Sequence, residues 1–114
     1  MNLESASRQN GDVVIADLKG RITLGQPSEA LRRMLSEWAE QGKTKVILNL
    51  ANVDFIDSAG IGQLSRGYIL MSNKGGKLKL LRPQERVRDV LEITRLITVI
   101  EVFDDEAAAV ESFA

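Results

Sequence analysis

The chain contains no cysteine and no histidine. Without cysteine there is no disulfide, no thiolate nucleophile and no cysteine-bound metal. Without histidine a Ser-His-Asp triad cannot form, and neither can a histidine-ligated zinc site. A carboxylate or a lysine remains as a general base, but the side chain most used for that work is missing. No uninterrupted apolar run approaches the ~20 residues that a membrane-spanning helix needs. The first residues, Met1 to Gly11, lack the apolar core of a signal peptide. A soluble cytoplasmic protein is expected. An excess of one charge is absent too. The net charge is -1, so no strong electrostatic drive toward DNA, RNA or acidic lipid follows. The basic group Lys74, Lys77, Lys79 and Arg82 is local and reads as the solvated face of a strand.

What is present is a chain of 114 residues, 44% of them hydrophobic. That suits one compact domain with one core over residues 1–114. Asn10-Gly11 is the strongest hairpin signal, because a type I′ turn needs two residues that tolerate positive φ. It joins a strand near Leu3–Arg8 to a second at Val13–Leu18. Both faces of the second strand begin apolar, so it is not expected at a sheet edge. Gly20–Gly25 reads as a loop. Pro27 suits the first turn of a helix. Ala30, Leu31, Met34, Leu35, Trp38 and Ala39 follow at helical spacing. The single tryptophan reads as a core anchor, and Gly42 as the C-terminal cap.

Val46–Leu50 is the apolar run of a central strand with both faces covered. A link, Ala51–Asp57, leads to a helix starting near Ser58, with Ile61, Leu64, Tyr68 and Met71 as its apolar stripe. Gly75-Gly76 turns into a strand at Lys77–Leu81. Pro83 begins a third helix with Val87, Val90 and Leu91 inward. Thr98–Phe103 is the last strand, and Asp104 or Asp105 caps a short helix through Phe113. The order is β-β-α-β-α-β-α-β-α, five strands and four helices. Alternation after the first hairpin implies parallel crossovers in one mixed α/β sheet. Such sheets place functional loops at strand C-terminal ends, which is where Ala51–Asp57 leaves its strand.

Asp57-Ser58-Ala59-Gly60 therefore opens a helix at the functional end. The plain reading is an N-cap, since Ser and Asp side chains accept orphan backbone N–H groups. Asp57 can do this alone, which leaves Ser58 redundant. Ala59 and Gly60 would keep the helix mouth bare, open to close approach by another protein. Ala59, Gly62, Gln63, Arg66 and Leu70 fall opposite the apolar stripe. They form either a docking face beside Ser58 or a surface on which Leu70 packs beneath a neighbouring helix.

The strand Val46–Leu50, the link ending in Phe55-Ile56, and Asp57-Ser58-Ala59-Gly60-Ile61-Gly62 resemble the signature of anti-sigma factor antagonists, which are STAS domains. The resemblance covers essentially the whole chain, including Gly20 and Gly75-Gly76. It implies a single STAS-like domain that is not an enzyme and needs no cofactor or metal. Its partner would be an anti-sigma factor that is also a serine kinase with a histidine-kinase-type ATP fold. The unphosphorylated antagonist captures that factor and releases a sigma factor. Phosphorylation of the serine after the aspartate, here Ser58, switches capture off, and a serine phosphatase reverses it. Asp57, Ala59, Gly60, Gly62, Gln63 and Arg66 are then the expected partner-binding residues. The family often has Ser or Thr where this chain has Ala59. In the loop after the second strand it often has an acidic residue and an Asp, where this chain has Arg21 and Thr23, also expected at the partner face.

Three rivals remain. An aspartate-phosphorylated receiver needs an acidic pair after an early strand to hold magnesium, and Leu18-Lys19-Gly20 offers none. An enzyme built on Asp54, Asp57 and Ser58 lacks histidine, cysteine and a phosphate-cradling loop with its lysine. A STAS accessory module of a membrane transporter or signalling complex, working by protein or small-ligand binding, keeps the fold and changes the role.

Overall fold

The structure, a computed structural model, describes residues 2–114. Its first event in chain order is the hairpin of β1 (Glu4–Asn10) and β2 (Val13–Ile22), antiparallel with Asn10 opposite Val13. That register makes Gly11 and Asp12 the central turn residues. Of these only Gly11 has positive φ, at 64°. The expected type I′ turn over Asn10-Gly11, which needs two such residues, is corrected accordingly.

The remaining elements are α1 (Gln26–Glu40), β3 (Lys45–Ile56), α2 (Ser58–Asn73), β4 (Lys77–Leu81), α3 (Glu85–Ile93), β5 (Val102–Phe103) and α4 (Glu106–Glu111). They form one sheet in the order β1-β2-β3-β4-β5, parallel from β2 onward. The expected α/β class and element order hold. Alternation along the strands splits the apolar residues between two faces. Val14, Ala16, Leu48, Leu50, Leu78 and Leu80 face a core closed by Leu31 and Leu35 of α1, Leu64 and Met71 of α2, and Val87 and Leu91 of α3. Val13, Ile15, Ile47 and Leu81 face a smaller core closed by Ala109 and Val110 of α4 and by Phe113 just beyond it. Trp38 is buried in the larger core. Gly42, at φ 77°, follows the last turn of α1, where the Lys43 N–H donates to the Trp38 carbonyl at 2.8 Å. That is a glycine C-terminal motif.

Several boundaries move. β3 does not stop at Leu50 but runs to Ile56 beside an extended β2, so most of the expected link is strand. Gly20 pairs with Val53 and Arg21 with Phe55, which leaves Asp54 as an extra residue in a β-bulge. Pro83 precedes α3 rather than starting it, and Gln84 is the N-cap. The last strand shrinks to two residues. A 3-10 turn at Leu96–Thr98 takes its place, because the Val99 and Ile100 N–H groups donate to the Leu96 carbonyl. The final helix is capped by Asp105, which accepts the Ala108 N–H at 2.9 Å, and ends at Glu111.

One side-chain expectation holds in part, with Leu64 and Met71 buried as expected, and another fails, each for a clear reason. The buried stripe of α2 is Gly60, Leu64, Gly67 and Met71, with Ile61, Tyr68 and Leu70 half-buried at its flanks. Two glycines let the helix backbone sit close to its neighbours. A Cβ on Gly67 would lie 2.6 Å from Leu35 Cδ1. Lys79 is not on a solvated face. It is 4% exposed, and its ammonium lies 4.4 Å from the Phe113 ring centre. It donates to Ser112 Oγ at 2.7 Å and pairs with Glu101 at 3.2 Å. The covering element is the α4 end of the chain, which turns a strand position that alternates toward solvent into an interior one. Lys74, Lys77 and Arg82 are exposed.

Candidate functional site

At the C-terminal ends of β2 and β3 the chain crosses from sheet to helix twice, at Thr23–Gly25 and at Asp57. The two crossings are tied together. The Asp57 N–H donates to the Ile22 carbonyl at 3.2 Å. Asp57 Oδ1 accepts the Gly60 N–H and Oδ2 accepts the Leu24 N–H, both at 3.0 Å. Asp57 is thus the N-cap of α2 and the anchor of the β2–α1 loop. Partial burial pushes its carboxyl pKa up. The N–H groups of Gly60, Leu24 and Ala59 more than offset that, so it lies below the ordinary aspartate value. Both oxygens accept backbone donors, and neither is bonded to the neighbouring hydroxyl among the described residues.

Ser58 is the first residue of α2 and is exposed. Among the described residues its hydroxyl has no hydrogen-bond partner. The cap is supplied entirely by Asp57, so Ser58 is not needed for it. The helix N-terminus beneath it carries partial positive charge and favours an anion. Ala59 is half-buried beside it.

The glycines of the motif divide in role. Gly62 is exposed, and a Cβ there would meet nothing within 4 Å. It keeps the surface flat one turn along from Ser58. Gly60 was expected on that surface and is buried instead. A Cβ there would overlap the Ile22 carbonyl oxygen and lie 2.6 Å from Ile56 Cγ1. Its glycine is required by close packing of the α2 mouth on β2 and β3, so it supports the site from below. Gln63 is half-buried, with Oε1 shut away from solvent and unpartnered among the described residues. Arg66 is exposed and donates to Ser36 Oγ of α1 at 3.2 Å.

On the loop side, Thr23 is half-buried and its carbonyl accepts both Ser28 N–H and Oγ–H, the latter at 2.7 Å. Arg21 is exposed. It lies over the Phe55 ring at 6.0 Å and beside Asp54 at 3.4 Å. Asp54 also lines a polar surface groove of about 630 Å³ with Gln84, Glu85, Arg86 and Asp89. Asp54 pairs with Arg21 and Asp57 with backbone N–H groups, and among the described residues neither carboxylate is hydrogen-bonded to Ser58.

Two residues of this surface escape sequence reasoning. Leu24 is 80% exposed and Phe55, beneath Arg21, is 37% exposed. A leucine beside Gly25 in a loop was the available signal for the first. Phe55 gave no readable signal, because the bulge that turns it outward breaks the alternation. The assembled surface therefore has an exposed hydroxyl at a helix mouth, a bare glycine, two arginines and two large apolar side chains.

Comparison with known proteins agrees with this geometry. The STAS domain family profile matches residues 4–109. The anti-sigma-B factor antagonist of Bacillus subtilis is 30% identical, covering 90% of this chain and 92% of the relative. The anti-sigma F factor antagonist of Paenibacillus polymyxa is 26% identical over 96% of this chain and 93% of its own length. Among solved structures, the phosphorylated form of the Bacillus cell fate determinant SpoIIAA superposes with a TM-score of 0.75. It is 22% identical and covers 97% of this chain and 100% of that one, a likeness of fold.

Proposed function

This chain belongs to the STAS domain family, and on that premise we propose that it is an anti-sigma factor antagonist switched by the charge at Ser58. The observation that carries the reading is local. Ser58 is an exposed, unpartnered hydroxyl at the helix mouth, while Asp57 alone supplies the cap. In this account the unphosphorylated chain captures an anti-sigma factor serine kinase with a histidine-kinase-type ATP fold and so frees a sigma factor. The kinase phosphorylates Ser58, and a serine phosphatase restores the hydroxyl. Arg21, Leu24, Phe55, Gly62 and Arg66 form the surrounding contact surface. The chain itself performs no chemistry.

The physics favours a surface switch over an unfolding switch. Phosphoserine carries about -1.5 to -2 charges at neutral pH. The helix N-terminus favours an anion by about 0.3–1 kcal/mol. Asp57 opposes it by repulsion of similar size, so the fold changes little in stability. At an interface the balance differs, because the dianion must be desolvated against the partner. A loss of about 3 kcal/mol weakens binding more than a hundredfold.

The test is capture from the native lysate with Ser58→Ala and Ser58→Asp baits, identifying retained proteins by mass spectrometry. An ATP-binding anti-sigma factor held by the alanine bait and lost from the aspartate bait is the expected result. Transporter subunits, or the same proteins on both baits, would remove the switch and leave the fold.

A further inference from the structure

The hairpin turn between β1 and β2 lies at the start of β2, while Ser58 follows the far end of β3, which runs parallel to β2. Asn10, Gly11 and Asp12 are exposed there. Gly11 has φ 64°, and a Cβ on it would meet nothing within 4 Å. Among the described residues the Gly11 N–H makes no hydrogen bond, and neither does the Asn10 side-chain amide. The other asparagines are each followed by a residue with a side chain, and their surroundings are tighter. After Asn2, the Leu3 N–H donates to Gln26 Oε1 at 2.9 Å. After Asn73, the Lys74 N–H donates to the Met71 carbonyl at 3.1 Å. Asn49 and Asn52 lie inside β3, before Leu50 and Val53, which are fully buried. The Asn49 amide also donates to Asp17 at 2.8 Å.

We propose that Asn10 is a modification site, deamidated spontaneously in the folded protein by its own neighbour. The Gly11 nitrogen gives its proton to hydroxide and attacks Asn10 Cγ. The new N–Cγ bond closes a cyclic imide, the Cγ–Nδ2 bond breaks, and ammonia leaves with a proton from water. Water then opens the imide at one of its two carbonyls. Cleavage of the N–Cγ bond gives aspartate. Cleavage of the bond to the main-chain carbonyl gives isoaspartate, with the chain rerouted through the former side chain. No enzyme, metal or oxidant is required. Gly11 suits the step because it has no Cβ to shield the nitrogen and turns freely into the ring geometry. An exposed turn also opens at almost no cost. Either product adds a carboxylate beside Asp12, which already holds Lys45 at 2.8 Å, and makes the net charge more negative than -1. Isoaspartate also lengthens the main chain in a turn whose length sets Asn10 opposite Val13. The site is independent of the charge at Ser58.

The test incubates the full chain at mildly alkaline pH, folded in buffer and unfolded in urea, and follows both by peptide mapping with mass spectrometry. In the folded chain the peptide holding Asn10 should gain the mass of an amide-to-acid exchange and separate into two products, aspartate and isoaspartate. Its rate should lie within about tenfold of the rate in urea, because the turn gives the reaction little protection. Asn2, Asn49, Asn52 and Asn73 should stay amidated in the folded chain over the same period. Asn10→Gln should remove both products. An Asn10 that stays unchanged when folded, or reacts more than about tenfold slower than in urea, would overturn the proposal. So would another asparagine reacting first, or products that persist in Asn10→Gln.

Discussion

At the scale of single residues, Asp57 has the most to do. It caps α2 through the Gly60 N–H and fixes Leu24 through the other oxygen. Removing an N-cap costs about 0.5–2 kcal/mol, and here a second backbone donor, the Leu24 N–H, loses its acceptor as well. Asp57→Ala should therefore cost ~2 kcal/mol near neutral pH, measured by urea unfolding. The pH dependence has a definite sign. A carboxyl whose pKa is lowered by folding contributes fully above its unfolded pKa of about 3.9, and that contribution is lost as pH falls through the lower folded value. The gap between wild type and Asp57→Ala should narrow below about pH 4. A gap independent of pH would show that the carboxylate is not the group responsible. Ser58 differs from its neighbour because it holds nothing in place, and a residue with no structural duty is free to change its charge.

At the scale of elements, α2 is set by what it lacks. Gly60 and Gly67 lie in its buried stripe, so the helix approaches β2, β3 and α1 more closely than side chains would allow. Gly60→Ala pushes a methyl into the Ile22 carbonyl, which is backbone and cannot turn aside. Overpacking of this kind typically costs 1–3 kcal/mol, so a loss of about 2 kcal/mol is expected by chemical denaturation, together with weaker partner capture. Gly62→Ala, in open space, should leave stability unchanged or slightly raised, because alanine is the better helix former. Equal effects of the two substitutions would contradict this division of roles. The same glycines explain what was hard to read in the sequence. A stripe of large apolar residues pointed to Leu64 and Met71, which are fully buried, and to Ile61 and Tyr68, which flank them half-buried, but the two glycines of the face gave no such signal. The order of elements was legible because periodicity survives in each of them. The end of β3 was not, because the bulge at Asp54 breaks the alternation.

At the scale of the whole molecule, the sheet is covered unequally. Three helices close one face and α4 alone closes the other, and this arrangement buries Lys79 among Phe103, Phe113 and Ser112. No local pattern could disclose that, since Ser112, which accepts the Lys79 hydrogen bond, lies 33 positions further on. The candidate site was half legible. Ser58 and Asp57 stand out because their chemistry is local, and Gly62 and Arg66 follow from helical spacing. Leu24 and Phe55 join them only through the tertiary fold. Residues of α2 and of α4 belong to separate core clusters, and the proposed switch predicts that a charge at Ser58 acts at the surface and leaves both cores intact.

The most direct measurement is calorimetric titration of the anti-sigma factor recovered on the Ser58→Ala bait into two forms of this chain, unmodified and phosphorylated at Ser58, with a thermal melt of each. The account predicts binding at least ~100-fold weaker for the phosphorylated chain, with melting temperatures within a few degrees of each other. Affinities within about threefold, a difference of under 1 kcal/mol, would contradict it. So would a phosphorylated chain that loses binding only because it has unfolded.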